Sequence, residues 1–169
     1  MGEGPGYDVE LKRRREKKTD YGKRLEMLKS GDLRAVVRLS NNHARVQMVG
    51  YVDGGDETVV EAFSKQLREF GWDEHPGNLP AAYLTGLLAG YRAQDEGIER
   101  CIADIGVYDR EEGSRHYAAV KGLADSGLEV PVDGEVLPEE DRVRGEHIDD
   151  ETAETFEKVR EEISDRYGD

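Results

Sequence analysis

Residues 34–52 read RAVVRLSNNHARVQMVGYV. Residues 34–40 and 45–52 are strand-like runs rich in valine, and Asn41-Asn42-His43 joins them. That pattern predicts two antiparallel strands joined in a hairpin. Downstream, Asp53-Gly54-Gly55-Asp56 is a second turn, leading to a third strand over residues 58–64. Residues 65–70 allow one or two helical turns. Upstream, Tyr21, Leu25 and Leu28 recur at helical spacing within residues 19–30, and Gly31 stands where a glycine ends a helix.

Further along, Asn78 offers an N-cap with Pro80 in the first turn, opening a helix to about Gln94. This helix is uncharged over most of its length, so it is expected to be buried on the sheet. Ala82, Gly86 and Gly90 fall four apart and predict close helix-on-sheet packing. Residues 100–105 (RCIADI) form a strand of the buried type, with Cys101 in a packing role. Ser114 caps another helix that runs to Gly127, and a Pro- and Gly-punctuated connection covers residues 128–138. A last helix begins near Asp149, with Phe156, Val159, Ile163 and Tyr167 as a narrow apolar stripe. The fold class is α/β: a mixed sheet of three antiparallel strands plus a further strand, with helices packed on it.

The chain has 169 residues and a formal net charge of -14. That average hides a split. Residues 1–45 carry 12 basic side chains against seven acidic ones, leaving -19 for the rest. Such asymmetry points to a polyanion partner more strongly than net charge argues against one. Residues 1–18 form a basic N-terminal arm with too little apolar surface to fold alone. Residues 19–138 form the α/β domain, and residues 139–169, with 13 acids and five bases, an acidic helical extension. The uncharged helical stretch of residues 79–91 is too short to span a bilayer, and no apolar leader follows the first residues. A lone cysteine fits a reducing cytoplasm.

The strand order matches the first part of the ribonuclease H-like layout, whose nucleases hold two metals on sheet carboxylates. Asp104 is a candidate ligand, with Glu61 and Asp125 as companions. The first strand lacks the dense carboxylate pair that such a site needs, so Asp104 is read as a strand-end residue ordering the loop at Gly106. The four histidines are scattered, without metal-ligand spacing. Nothing in the sequence argues for a catalytic residue, a metal or a cofactor.

The runs KRRREKKTDYGKRLEMLKSGDLRAVVRLSNNHARVQ (residues 12–47), GNLPAAYLTGLLAGYRAQDEG (77–97) and ADIG (103–106) resemble signature blocks of a known family. This is the archaeal and eukaryotic-type 5S-rRNA-binding protein of the large ribosomal subunit, family eighteen. GSRHYAAVKGLADSGLEVP and RGEHI extend the resemblance over most of residues 7–148. It implies a ribonuclease H-like fold without an active site. It also implies binding to 5S rRNA, contact with large-subunit rRNA, and a place beside neighbouring ribosomal proteins in the central protuberance of a cytoplasmic ribosome. Asp32-Leu33 stands where relatives often have Lys-Pro. The last 20 residues lie outside the resemblance, and the acid-rich surface resembles relatives from high-salt cytoplasm. The rival reading is a protein-interaction module.

The expected RNA contacts are Lys12, Arg13, Arg14, Arg15, Lys17, Lys18, Tyr21, Arg24, Lys29, Arg34, Arg38 and Arg45, with Ser40, Asn41, Asn42 and His43 at the hairpin tip. Arginine suits the task because its fork binds phosphate bidentately and stacks on unpaired bases. For the tip, plain turn chemistry is the alternative. For Tyr21 the alternatives are a base stack or a place in the core.

Overall fold

The computed structural model describes residues 9–107 and 111–168. Its elements are helix α1 (Lys12–Arg15), helix α2 (Tyr21–Lys29), strands β1 (Leu33–Leu39), β2 (Ala44–Val52) and β3 (Gly55–Phe63), helix α3 (Leu79–Asp95), strand β4 (Cys101–Asp104), and helices α4 (Arg115–Asp125), α5 (Glu140–Arg144) and α6 (Asp150–Tyr167). Short 3-10 segments lie at Ser64–Phe70 and Gly134–Val136. The sheet order is β3-β2-β1-β4, with β4 parallel to β1 and the other pairs antiparallel. The expected mixed sheet is therefore present. The third strand begins three residues earlier than read, because Val52 pairs with Gly55 across a tight Asp53-Gly54 turn.

Strand alternation decides which face is buried. Ala35, Val37, Val46, Met48, Ala62 and Cys101 lie on one face of the sheet and enter the core. Burial pushes the Cys101 thiol up to about 12, so it stays protonated and packs as a small apolar group. Arg34, Val36, Arg38, Arg45 and Asp104 fall on the opposite face. Helices α3 and α4 sit on the core side.

Cap chemistry agrees with the sequence at several ends. Asn78 accepts the Ala81 N–H at 2.9 Å, and Asp20 accepts the Lys23 N–H at 3.1 Å. Gly31 and Gly127 end their helices with positive φ. Ser114 precedes α4, but its hydroxyl makes no capping hydrogen bond.

The small-residue face of α3 corrects the expectation of helix-on-sheet packing, since it meets α4 instead. A Cβ on Gly86 would overlap the Ala119 carbonyl, and one on Gly122 would overlap the Tyr83 carbonyl. Because Gly90 lies against Ser126, contacts advance in the same direction along both helices. Two parallel helices approach closely enough that backbone touches backbone.

The C-terminal stripe closes the core. Phe156, Val159 and Ile163 are fully buried, and the Phe156 ring lies 5.5 Å from that of Tyr83. Residues past 139 thus share the hydrophobic core of the preceding domain. Along α6, Glu162 and Arg166 pair at 3.1 Å. Among the described residues no helix is long and apolar enough to cross a membrane.

Candidate nucleic-acid interface

The polar face of the sheet builds the site. Arg34 and Arg38 are four apart on β1, so both side chains leave from the same face. Asp104, at the end of parallel β4, is registered with Val36 between them. Arg34 Nη1 lies 3.1 Å from Asp104 Oδ2, and Arg38 Nη2 lies 3.6 Å from Asp104 Oδ1. Arg38 also donates to the Asp104 carbonyl at 2.9 Å. The other Asp104 function is as the sequence suggests: Oδ1 accepts the Gly106 N–H at 2.9 Å and fixes the loop. A second carboxylate, Asp56 at the start of β3, bridges Arg34 (2.9 Å) and Arg24 of α2 (2.8 Å). The result is a chain of ion pairs, Arg24–Asp56–Arg34–Asp104–Arg38, linking α2, β3, β1 and β4.

Above this chain opens a cleft of about 470 Å³. Arg13, Lys18, Tyr21, Arg24, Arg34 and Arg38, all expected RNA contacts, line it together with Lys23. Asp20, Asp56 and Asp104 also line it, so the cations outnumber the carboxylates. Arg34 departs from the sequence reading in one respect. It is 3% exposed, sealed between two aspartates, and its charge rather than its surface reaches the cleft. Its position on an edge of alternation cannot show that, because both aspartates come from distant strands.

Helix α2 supplies the cleft wall without entering the core. It buries no residue, and Leu25 is 53% exposed. The apolar stripe that predicts the helix is therefore not a core face. Tyr21 is half-buried on the cleft wall and takes no part in the core. Lys29, at the end of α2, is exposed.

Helix α1 and its flanks are exposed on all sides: Lys12, Arg13, Arg14, Arg15, Lys17 and Lys18. The turn ends with Lys17 at φ 52, where the Lys17 N–H reaches the Arg14 carbonyl and the Lys18 N–H the Arg13 carbonyl. These two bonds are those of a Schellman stop, with lysine in the place usually held by glycine. Arg13 Nε donates to Thr19 Oγ1 at 2.9 Å and ties the turn to α2. Sequence composition gives the arm no regular structure; the structure gives it this one turn. The Gly/Pro-rich segment 1–8 lies outside the described residues.

The hairpin tip stands at the other end of the face. Ser40, Asn41 and Asn42 are exposed. The Ser40 hydroxyl accepts the His43 N–H at 3.0 Å, which is turn chemistry. His43 leans inward, its ring 4.7 Å from Phe63 and its Nδ1 3.3 Å from Ser64 Oγ. Arg45, directly opposite Arg38 in the β1–β2 register, lies 5.0 Å over the Phe63 ring. Like charges placed opposite one another in a sheet repel. Here they diverge, Arg38 toward Asp104 and Arg45 toward Phe63.

Sequence reasoning missed what holds this tip. Arg115, at the start of α4, donates to the Ser40 carbonyl at 3.1 Å and to the Gly77 carbonyl at 2.6 Å. Gly77 lies so near the tip that a Cβ would overlap the Asn41 carbonyl. The SRHY run containing Arg115 is visible in the sequence, but its role needs a contact 75 residues away. Asp32 pairs with Arg100 at 3.3 Å. Among the described residues, no three of His, Cys, Asp and Glu are grouped to hold a metal. Asp104 is instead engaged by two arginines and a backbone N–H.

Comparisons with known proteins find relatives along most of the chain. A family model described as "Ribosomal large subunit proteins 60S L5, and 50S L18" matches residues 6–98. The chain is 50% identical to "Large ribosomal subunit protein uL18" of Korarchaeum cryptofilum over 164 residues, 97% of this chain and 82% of that protein. It is 46% identical to the protein of the same name from Haloarcula marismortui, over 96% of this chain and 85% of that protein. With Halobacterium salinarum the identity is 51% over 148 residues, covering 88% of this chain and 81% of the relative. The alignment with the Korarchaeum relative takes in 164 residues and so reaches into the last 20, whereas that with the Halobacterium relative takes in 148. With its basic sheet face, its family-model match over more than half its length and relatives at half identity, the chain belongs to the family of ribosomal large subunit proteins 60S L5 and 50S L18.

Proposed function

We propose that this chain binds 5S rRNA and helps attach it to large-subunit rRNA in the central protuberance, beside neighbouring ribosomal proteins of a cytoplasmic ribosome. The family is one of structural ribosomal components, not enzymes. The observation that carries the reading is the cleft, which collects six of the expected contact residues on the open face of the sheet. In the proposed complex Lys12, Arg13, Arg14, Arg15, Lys17, Lys18 and Lys29 meet phosphates, and Arg24, Arg38 and Arg45 meet phosphates or bases. Ser40, Asn41 and Asn42 offer hydrogen-bonding groups to sugar and base edges. His43 acts mainly as a wedge under the tip, and Arg34 as fixed charge beneath the cleft. Residues 1–18 serve as the RNA-reaching arm, 19–138 as the RNA-binding domain, and 139–169 as an acidic cap turned from the RNA. The order β3-β2-β1-β4, with β4 parallel to β1, supports the ribonuclease H-like layout.

The test is purification at native salt, followed by sequencing of co-purifying RNA and by the 260/280 nm absorbance ratio before and after ribonuclease. Retained 5S rRNA is the expected result. Protein free of RNA but holding an acidic protein would support the interaction-module reading instead.

A further inference from the structure

The cleft is more enclosed than a surface that only tracks phosphates requires. About 470 Å³ falls within the range of small-ligand pockets, roughly 300–1,000 Å³. Its floor and wall differ in chemistry. On the floor, Arg24, Arg34 and Arg38 pair, among the described residues, with Asp56 and Asp104, three cations to two carboxylates. Arg34 is 3% exposed, and among the described residues its buried Nε finds no hydrogen-bond acceptor. Such a group is costly to leave unmet. Arg13 and Lys18 add cationic charge at the mouth, offset in part by Asp20 and by Glu16, 2.9 Å from Lys18 Nζ. On the wall stand the half-buried Tyr21 ring and Met27. Tyr21 is not needed by the core, since α2 buries no residue.

A planar apolar wall beside a cationic floor fits a nucleotide, whose base and phosphate make the same two demands. A duplex cannot offer a single base in this way, because paired bases stay stacked. We propose that the cleft receives one unpaired, splayed-out nucleotide of the bound rRNA, its base against Tyr21 and its phosphate toward Arg38 and Lys18. This rests on the rRNA-binding reading and narrows it from a basic face to a single-nucleotide receptor. Arg34 and its two aspartates hold the floor in place before RNA arrives, so little ordering accompanies entry.

The test compares wild type, Tyr21→Ala and Tyr21→Phe in titrations with 5S rRNA and in 2′-hydroxyl reactivity profiles of the bound RNA. Tyr21→Ala should weaken binding about tenfold, the size of one lost stack. It should also re-expose a single unpaired nucleotide, with the rest of the footprint unchanged; Tyr21→Phe should do neither. Wild-type affinity and footprint in Tyr21→Ala would overturn the receptor while leaving rRNA binding intact. Weakening spread evenly over the footprint would overturn it too, by making Tyr21 a structural residue. A wild type that binds no 5S rRNA overturns both readings together. Titration with adenosine monophosphate alone is the last arm: micromolar saturation would assign the cleft to a free nucleotide and refute the proposal.

Discussion

Arg34 and Asp104 are 70 residues apart in sequence, yet Nη1 of one lies 3.1 Å from Oδ2 of the other beneath the basic cleft. Their side chains are 4% and 8% exposed, so little water shares the interaction. Removing Asp104 leaves the buried Arg34 with Asp56 alone and takes a carboxylate from Arg38. Asp104→Leu should therefore destabilise the fold by about 3 kcal/mol in urea unfolding, whereas Arg34→Met with Asp104→Leu should recover most of that loss. No recovery in the double variant would show that the pair contributes more than mutual neutralisation. The sequence alone assigns Asp104 only to its loop, which makes a substitution there look harmless; the two arginines show why it is not.

The α3–α4 contact predicts a large effect from one methyl group. Gly86→Ala places a Cβ into the Ala119 carbonyl, and neither backbone can yield without parting the helices. A loss of about 2–3 kcal/mol is expected from denaturant unfolding, in line with overpacking of a close contact. Gly134→Ala, where a Cβ meets nothing within 4 Å, is the control and should be near neutral.

Acid sensitivity of the C-terminal helix follows from its cap. The Asp149 carboxylate accepts the Thr152 N–H at 2.7 Å, and hydrogen bonding to that backbone group holds its pKa below the ordinary value. A carboxyl group depressed in the folded state adds stability above its unfolded pKa, about 3.9, and loses it as pH falls through the folded value. Asp149→Asn keeps an acceptor but cannot titrate. Its unfolding midpoint should match wild type more closely as pH drops below about 4, and thermal melts from pH 2 to 7 would show the convergence. Parallel curves over that range would remove the cap from the account.

Much of the fold is legible in the sequence because its signals are local. The Asn-Asn-His turn, the Asn78 cap and the stripe Phe156, Val159, Ile163 each act within a few residues, and each is where periodicity places it. What escapes is long-range. The glycines of α3 announce a close neighbour but not which one, and α4 takes the place assigned to the sheet. Arg34 reads as one more cation in a basic run, whereas Asp56 and Asp104 reach it from β3 and β4. Arg115 and Gly77 clamp the hairpin tip through contacts that no spacing rule encodes. Leu25 shows the converse, since its helical stripe is present but left exposed.

The hairpin clamp carries its own consequence. Arg115→Met removes the Nη1 group that donates to the Ser40 and Gly77 carbonyls together. The tip should loosen, with faster amide exchange around residues 40–43 and about tenfold weaker 5S rRNA binding, one lost charge-assisted contact being worth roughly 1.5–3 kcal/mol. Unchanged exchange and affinity would assign the clamp no part in RNA binding.

The central claim is that an acidic chain holds 5S rRNA by the geometry of its basic face rather than by its field. In molar salt the Debye length is about 3 Å, so repulsion from the acidic remainder is screened, and attraction to the exposed arm with it. Counterion release also gains little at such salt. Direct bidentate contacts must then supply the affinity. The most direct measurement is a titration of 5S rRNA with wild type and with Arg13, Arg14 and Arg15 all changed to Lys, over KCl from about 0.1 M to molar. The account predicts that wild type still binds in molar salt and that the triple variant, equal in charge, binds more weakly there. Equal affinities at every salt concentration would contradict it, showing these arginines to act only as point charges.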